Sequence, residues 1–112
     1  MGRPLIVLVV DDEIAITGTM ERGLHRRGDV VLIANSVTEA WAVLERYNGA
    51  VDRAVIDLTL QDGDGLDLAT RIHAIYPAIR IILSSGGDIP VVAEFGAIRK
   101  PYTLAELWQA IA

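Results

Sequence analysis

Cysteine is absent from the 112 residues, so disulfide scaffolds and thiolate metal sites are excluded, and nothing argues for export. Long apolar stretches are missing too. Hydrophobic residues make up 52%, yet the longest unbroken run, Leu5 to Val10, has six residues. A helix that spans a membrane needs about twenty. Positive charge is scarce: ten Lys and Arg against fifteen Asp and Glu leave a formal net charge of −5. That balance disfavours a nucleic-acid surface, which needs clustered cations for phosphate contacts. A leader is not apparent, because Met1-Gly2-Arg3-Pro4 offers one basic residue before a strand-like run. Gly2 also lacks the Ser or Thr that N-myristoylation wants four residues later; Ile6 stands there. The length fits one domain, expected over residues 1–112, with a core large enough to need no staples. The expectation is a soluble, cytoplasmic domain with neither membrane nor nucleic-acid partner.

Five short apolar runs are present: Leu5–Val10, Val30–Ala34, Ala54–Leu58, Ile79–Leu83 and, weakest, Ala97–Arg99. The first four are nearly continuous, which suits strands buried on both faces. Segments with helical spacing lie between them. Ile14–Arg27 carries Ile16, Met20, Gly23 and Leu24 on one face, and Val37–Tyr47 carries Val37, Ala40, Trp41 and Leu44. Leu66–Tyr76 carries Leu68, Ala69, Ile72 and Ile75, and Thr103–Ile111 carries Leu104, Leu107, Trp108 and Ile111. Ser36 with Glu39, and Thr103 with Glu106, stand at N-cap and capping-box positions. Strands alternating with helices predict a parallel α/β sheet with right-handed crossovers. Only eleven residues, 86 to 96, separate Ser85 from Ala97. The fourth helix is therefore expected to be at most a turn around Val91–Phe95, closed by Gly96.

Chemistry concentrates at the ends of the strands, where open α/β sheets bind ligands. Asp11, Asp12 and Glu13 follow the first strand. Two carboxylates within about 4 Å repel by roughly 4 kcal/mol at an effective dielectric near 20. A hard divalent cation would offset that; alternatively one Asp caps the first helix while its neighbours favour the helix dipole. Asp57 ends the third strand between Ile56 and Leu58, where a charge is costly unless paired. With Asp11 and Asp12 it makes a pocket of three carboxylates. Asp62-Gly63-Asp64-Gly65 reads as turn chemistry, because it lacks the full acid spacing of a calcium loop. Ser84-Ser85-Gly86 ends the fourth strand, and Lys100-Pro101, with Pro101 a candidate for a cis bond, ends the fifth. Carboxylates for a cation, a hydroxyl and an ammonium together suit an incoming phosphoryl group. Trp41 and Trp108 read as packing, and His25 and His73 as surface residues.

These motifs resemble the receiver domain of two-component response regulators over essentially the whole chain. They are Val9-Val10-Asp11-Asp12-Glu13, Asp57-Leu58-Thr59-Leu60 with Gly63 and Gly65-Leu66, then Ser85-Gly86, then Lys100-Pro101. The resemblance implies a flavodoxin-like (βα)5 fold: a doubly wound parallel sheet of five strands, order 2-1-3-4-5, here with a short or irregular fourth helix. It implies that Asp57 is the phosphoryl acceptor and that Asp11, Asp12, Asp57 and the backbone carbonyl of Thr59 hold Mg2+. Ser85 would contact the phosphoryl group, and Lys100 would pair with it. The donor would be a sensor histidine kinase or a histidine phosphotransfer protein. Output would pass to a downstream protein partner, as in a single-domain regulator. The chain would not be an enzyme in the ordinary sense, but a phosphoacceptor that catalyses its own phosphotransfer and dephosphorylation.

Two departures from the family stand out. Ala97 occupies the position, three before Lys100, where the family usually has Tyr or Phe, and the segment before it is short. Phe95 is expected to pack rather than to substitute. Two other classes fit less well. A receiver-like docking module that is never phosphorylated would have lost one of Asp57, Ser85 or Lys100. A Mg2+ phosphohydrolase of the haloacid-dehalogenase type would carry its nucleophile at the first strand, where Glu13 does follow Asp11 two residues on, but no cap domain is present.

Overall fold

The apolar runs pair as strands because each is too short for a helix and is bounded by turn residues. The computed structural model describes residues 3–112. The readings made of Met1 and Gly2 lie outside the described residues. In chain order the elements are β1 (Ile6–Val10), α1 (Ile14–Arg26), β2 (Val30–Ala34), α2 (Val37–Arg46) and β3 (Arg53–Asp57). A small hairpin follows, β4 (Thr59–Leu60) and β5 (Gly63–Asp64), then α3 (Gly65–Ile75), β6 (Arg80–Ser85), β7 (Gly96–Arg99) and α4 (Leu104–Ile111). Five strands form one parallel sheet in the order β2-β1-β3-β6-β7. With the hairpin set aside, that is the expected order 2-1-3-4-5.

Side-chain alternation along the strands divides the core in two. Val7, Val9, Val55, Ile82 and Ile98 face α1 and α4, meeting Met20, Leu24, Leu107 and Ile111. Leu8, Val10, Ala54, Ile56, Ile81 and Leu83 face α2 and α3, meeting Ala40, Leu44, Leu68 and Ile72. Each Val, Leu, Ile or Met among them contributes roughly 1.5–3 kcal/mol by burial, and each Ala less. Both tryptophans pack as expected; Trp108 also donates its indole N–H to the Gly23 carbonyl at 3.1 Å. His25 is exposed, whereas His73 is half-buried and meets the Phe95 ring edge-on, centroids 5.6 Å apart.

Helix starts follow the sequence signals. Ser36 caps α2 by accepting from Glu39 N–H, and Thr103 with Glu106 forms a complete capping box on α4. No helix forms between β6 and β7. Residues 86–95 hold a single turn, with Phe95 N–H donating to the Val92 carbonyl at 3.0 Å. Ile89, Val92 and Phe95 still anchor this segment on the core. Gly96 does not close a helix but opens β7, where a Cβ would lie 3.4 Å from Ile82 Cγ1. Strand β3 stops one residue early, at Asp57, because the chain turns directly into the hairpin.

Candidate functional site

Parallel strands deliver their C-terminal ends to one edge of the sheet. Asp11 follows β1, Asp57 closes β3, Ser85 closes β6 and Lys100 follows β7. Backbone bonds fix each of them. Asp11 N–H donates to the Ala34 carbonyl, Leu58 N–H to that of Ser84, and Lys100 N–H to that of Ser85. Asn35 adds a side-chain bond to the Asp11 carbonyl at 3.0 Å. Gly65 is required where α3 begins, because a Cβ there would lie 1.9 Å from the Asp57 carbonyl oxygen. The hairpin is tied down by Asp62, whose carboxylate accepts from the N–H groups of Val37 and Thr38 at the start of α2. Asp64 caps α3 in the same way, accepting from Leu66 N–H at 2.9 Å. The Asp62–Gly65 loop therefore does the turn work expected of it.

Lys100 is the hub. Its Nζ lies 2.8 Å from Asp11 Oδ2, 3.2 Å from Glu13 Oε1 and 3.6 Å from Asp57 Oδ2. Asp11, Asp12 and Asp57 each offer a carboxylate oxygen, all within 4.8 Å of one another. Asp11 and Asp57 are buried, and Asp12 is half-buried. Burial pushes the Asp57 carboxyl above its ordinary range, the Asp11 charge pushes it further, and Lys100 opposes both. Burial works against the Lys100 ammonium, but the Asp11 hydrogen bond and charge, with Asp57 and Glu13, outweigh it and raise it above the ordinary range. One cation among these acids leaves negative charge uncompensated. An all-carboxylate oxygen donor set with that excess fits a hard divalent cation such as Mg2+.

The remaining residues predicted from the sequence are placed as follows. Thr59 opens β4 and aims its N–H at Asp57 Oδ1, 3.4 Å away. Ser85 stands at the end of β6 with its hydroxyl accepting from Gly87 N–H at 3.0 Å, rather than bonded to a carboxylate. Ala97 is exposed on β7. The Lys100-Pro101 bond is cis. The simpler role weighed for these acids, capping the first helix, is not taken up: the N-cap of α1 is Glu13 and no side chain caps it, while Asp11 Oδ1 accepts from Glu13 N–H at 2.9 Å, just ahead of the helix. Sequence reasoning did not assign Glu13 to Lys100; its place directly after the acid pair was the available signal. It also passed over Tyr102, whose buried hydroxyl has no hydrogen-bond partner among the described residues and is pushed up to about 12 by burial.

A family model for the response regulator receiver domain matches residues 7–112. The chain belongs to that family. Among relatives of this receiver domain, the sensor kinase CckA of Brucella abortus is 34% identical over 108 residues, covering 90% of this chain and 11% of that one. The chain thus spans a small part of that relative's length. A CheY-like receiver domain protein from Methanospirillum hungatei superposes with a TM-score of 0.87 at 26% identity, covering 96% of this chain and 90% of that one. A Burkholderia pseudomallei response regulator, solved with a phosphorylated aspartic acid, calcium ion and citrate, gives 0.80 at 26% identity, covering 96% and 66%. Receiver domains are generally phosphoacceptors that bind Mg2+ at an acidic pocket and partner with histidine kinases or phosphotransfer proteins. Among the described residues, no helix is long and apolar enough to cross a membrane.

Proposed function

We propose that residues 1–112 act as one receiver domain in which Asp57 accepts a phosphoryl group from the phosphohistidine of a sensor kinase or phosphotransfer protein. The observation that carries this reading is the Lys100 ammonium held between Asp11 and Asp57 beside a third carboxylate. Asp57 Oδ attacks phosphorus in line, the P–N bond breaks, and its electron pair stays on the donor imidazole. Asp11, Asp12, Asp57 and the Thr59 carbonyl would hold Mg2+. When bound, the ion supplies charge neutralisation to the transferring group. Lys100 exchanges its carboxylate partners for phosphoryl oxygens, and Ser85 leaves Gly87 to donate to one of them. The phosphorylated aspartic acid of the Burkholderia regulator supports the same assignment here. Dephosphorylation is hydrolysis of the resulting acyl phosphate at the same site, and the signal is read by a protein partner.

The test is incubation with Mg2+ and acetyl phosphate, followed by intact mass. Wild type gains one phosphate, Asp57→Asn gains none, and omission of Mg2+ abolishes the gain. An equal gain in Asp57→Asn would overturn the assignment.

A further inference from the structure

The register of the sheet pairs Asp57 on β3 with Ser84 on β6, not with Ser85. Alternation puts both on the α1/α4 face, following Val55 and Ile82 respectively. Ser84 is 2% exposed, and its Oγ has no hydrogen-bond partner among the described residues. A buried hydroxyl without a partner is costly, and an alanine would fill the same space at no such cost.

Its neighbours narrow what it could serve. The register partner of Ser84 on β7 is Ile98, and Ile82 precedes it on the same face, so neither offers a polar side chain. Lys100 is already committed to Asp11, Glu13 and Asp57. Asp57 is different. Its carboxylate is buried yet held only by long contacts, 3.4 Å from Thr59 N–H and 3.6 Å from Lys100 Nζ. An unpartnered donor and an under-bonded acceptor thus stand at adjacent register positions on the same face of the sheet, on strands that run about 4.8 Å apart, with no hydrogen bond between them in this structure.

We infer that Ser84 is a positioning residue: its hydroxyl donates to the Asp57 carboxylate as the phosphoryl group departs, and so shortens the life of the phosphorylated form. This rests on Asp57 being the acceptor. In hydrolysis, water oxygen attacks phosphorus, the bond from phosphorus to Asp57 Oδ breaks, and its electron pair returns to the carboxylate. The water proton passes to solvent, and inorganic phosphate leaves. The Ser84 O–H bond stays intact throughout. Hydrogen bonds to a carboxylate are about twice as strong as those to neutral acceptors, so the Ser84 contact strengthens as charge returns to Asp57. Ser85, the last residue of β6 and so nearer the edge of the sheet, remains free to serve the phosphoryl oxygens.

The experiment measures the lifetime of the phosphorylated protein after acetyl phosphate is removed, in Mg2+, by intact mass. Ser84→Ala and Ser84→Cys should lengthen it roughly fivefold to fiftyfold, less than the 10²–10³ of a full oxyanion donor because charge returns only partly in the transition state. Cys keeps the volume and has only a weak donor, and Ser84→Thr, which keeps the hydroxyl, should restore a lifetime near wild type. Equal lifetimes in all four proteins would overturn the inference, as would a change of the same sign and size in Ala, Cys and Thr, which would mean packing. Failure of wild type to gain phosphate would instead overturn the reading of Asp57 itself.

Discussion

Replacing Asp57 with Asn should make the metal-free protein more stable, although Asp57 is buried and central. Taking 4.8 Å, the limit within which the three carboxylates each place an oxygen, each of Asp11 and Asp12 repels Asp57 by roughly 3.5 kcal/mol at an effective dielectric of 20. Lys100 at 3.6 Å returns roughly 4.6 kcal/mol. The remainder is a destabilisation of about 2 kcal/mol, to which burial of the charge adds and solvent around Asp12 subtracts. Asn removes the charge, keeps the volume, and can still accept from Thr59 N–H. The expected rise in Tm is about 8 °C for a chain of this size. The folded chain holds the Asp57 proton more tightly than the unfolded chain, whose ordinary value is near 3.8. Ionisation therefore costs stability above the raised folded value and nothing below the ordinary one. The advantage of Asn should be full at pH 7 and should close as pH falls toward 4. Mg2+ reverses the order: at a hundred times its Kd it stabilises wild type by about 2.7 kcal/mol, and the variant, short of one carboxylate, by much less. Thermal melts across pH, with EDTA and with Mg2+, measure all of this. A variant less stable than wild type in EDTA at pH 7 would refute the electrostatic account.

Lys100→Met should destabilise the metal-free protein by about 3 kcal/mol at neutral pH, because it leaves Asp11 and Asp57 buried without their cation; urea midpoints at pH 7 and pH 4 should show the loss shrinking as Asp57, whose carboxyl is held above its ordinary range, protonates. Gly65→Ala should be far more damaging than its size suggests, since its Cβ would lie 1.9 Å from backbone oxygen; we expect a loss of about 3 kcal/mol or more, with reduced phosphorylation in the folded fraction. Thr103→Ala removes one arm of the α4 capping box and should cost about 1 kcal/mol by denaturant titration while leaving the phosphorylation rate unchanged.

The elements were legible where one rule acted alone. Leu5–Val10 read as a buried strand and forms one, whereas Val30–Ala34, read the same way, is the edge strand β2 with only Ala34 buried; Thr103 with Glu106 announced α4 before any contact was known. The acids at the strand ends were legible because parallel strands send all their C-terminal ends to one edge. What stayed hidden depended on three-dimensional choices that spacing does not encode. Whether Asp57 meets Ser84 or Ser85 is a matter of register, and register is set by pairing with β6. Glu13 reaches Lys100 across 87 positions of sequence, a contact made only once β1 and β7 share an edge. The hairpin at Thr59–Asp64 is two residues a side, too short for alternation to register, and Asp62 caps a helix that precedes it in the chain. The fourth helix was correctly expected to be curtailed, but the role of Gly96 was misjudged because a glycine after an apolar segment reads equally as a stop or as a close approach.

The site is held in place by groups other than its own charges. Asp11, Asp57 and Lys100 are positioned by main-chain bonds to Ala34, Ser84 and Ser85 and by the tight turn at Gly65, all of which survive replacement of any acidic side chain. Both halves of the core lie below the sheet edge and contain none of the site carboxylates. The fold can therefore tolerate three mutually repelling acids at one point, because apolar burial elsewhere supplies the stability that their crowding removes. If the acids were structural, their separation would be relaxed by neighbouring cations. Instead one ammonium serves Asp11, Glu13 and Asp57 at once, and Asp12 has no ion pair among the described residues. A pocket left short of positive charge in this way favours the arrival of a cation, and the same shortage is what the Asp57→Asn melt would measure.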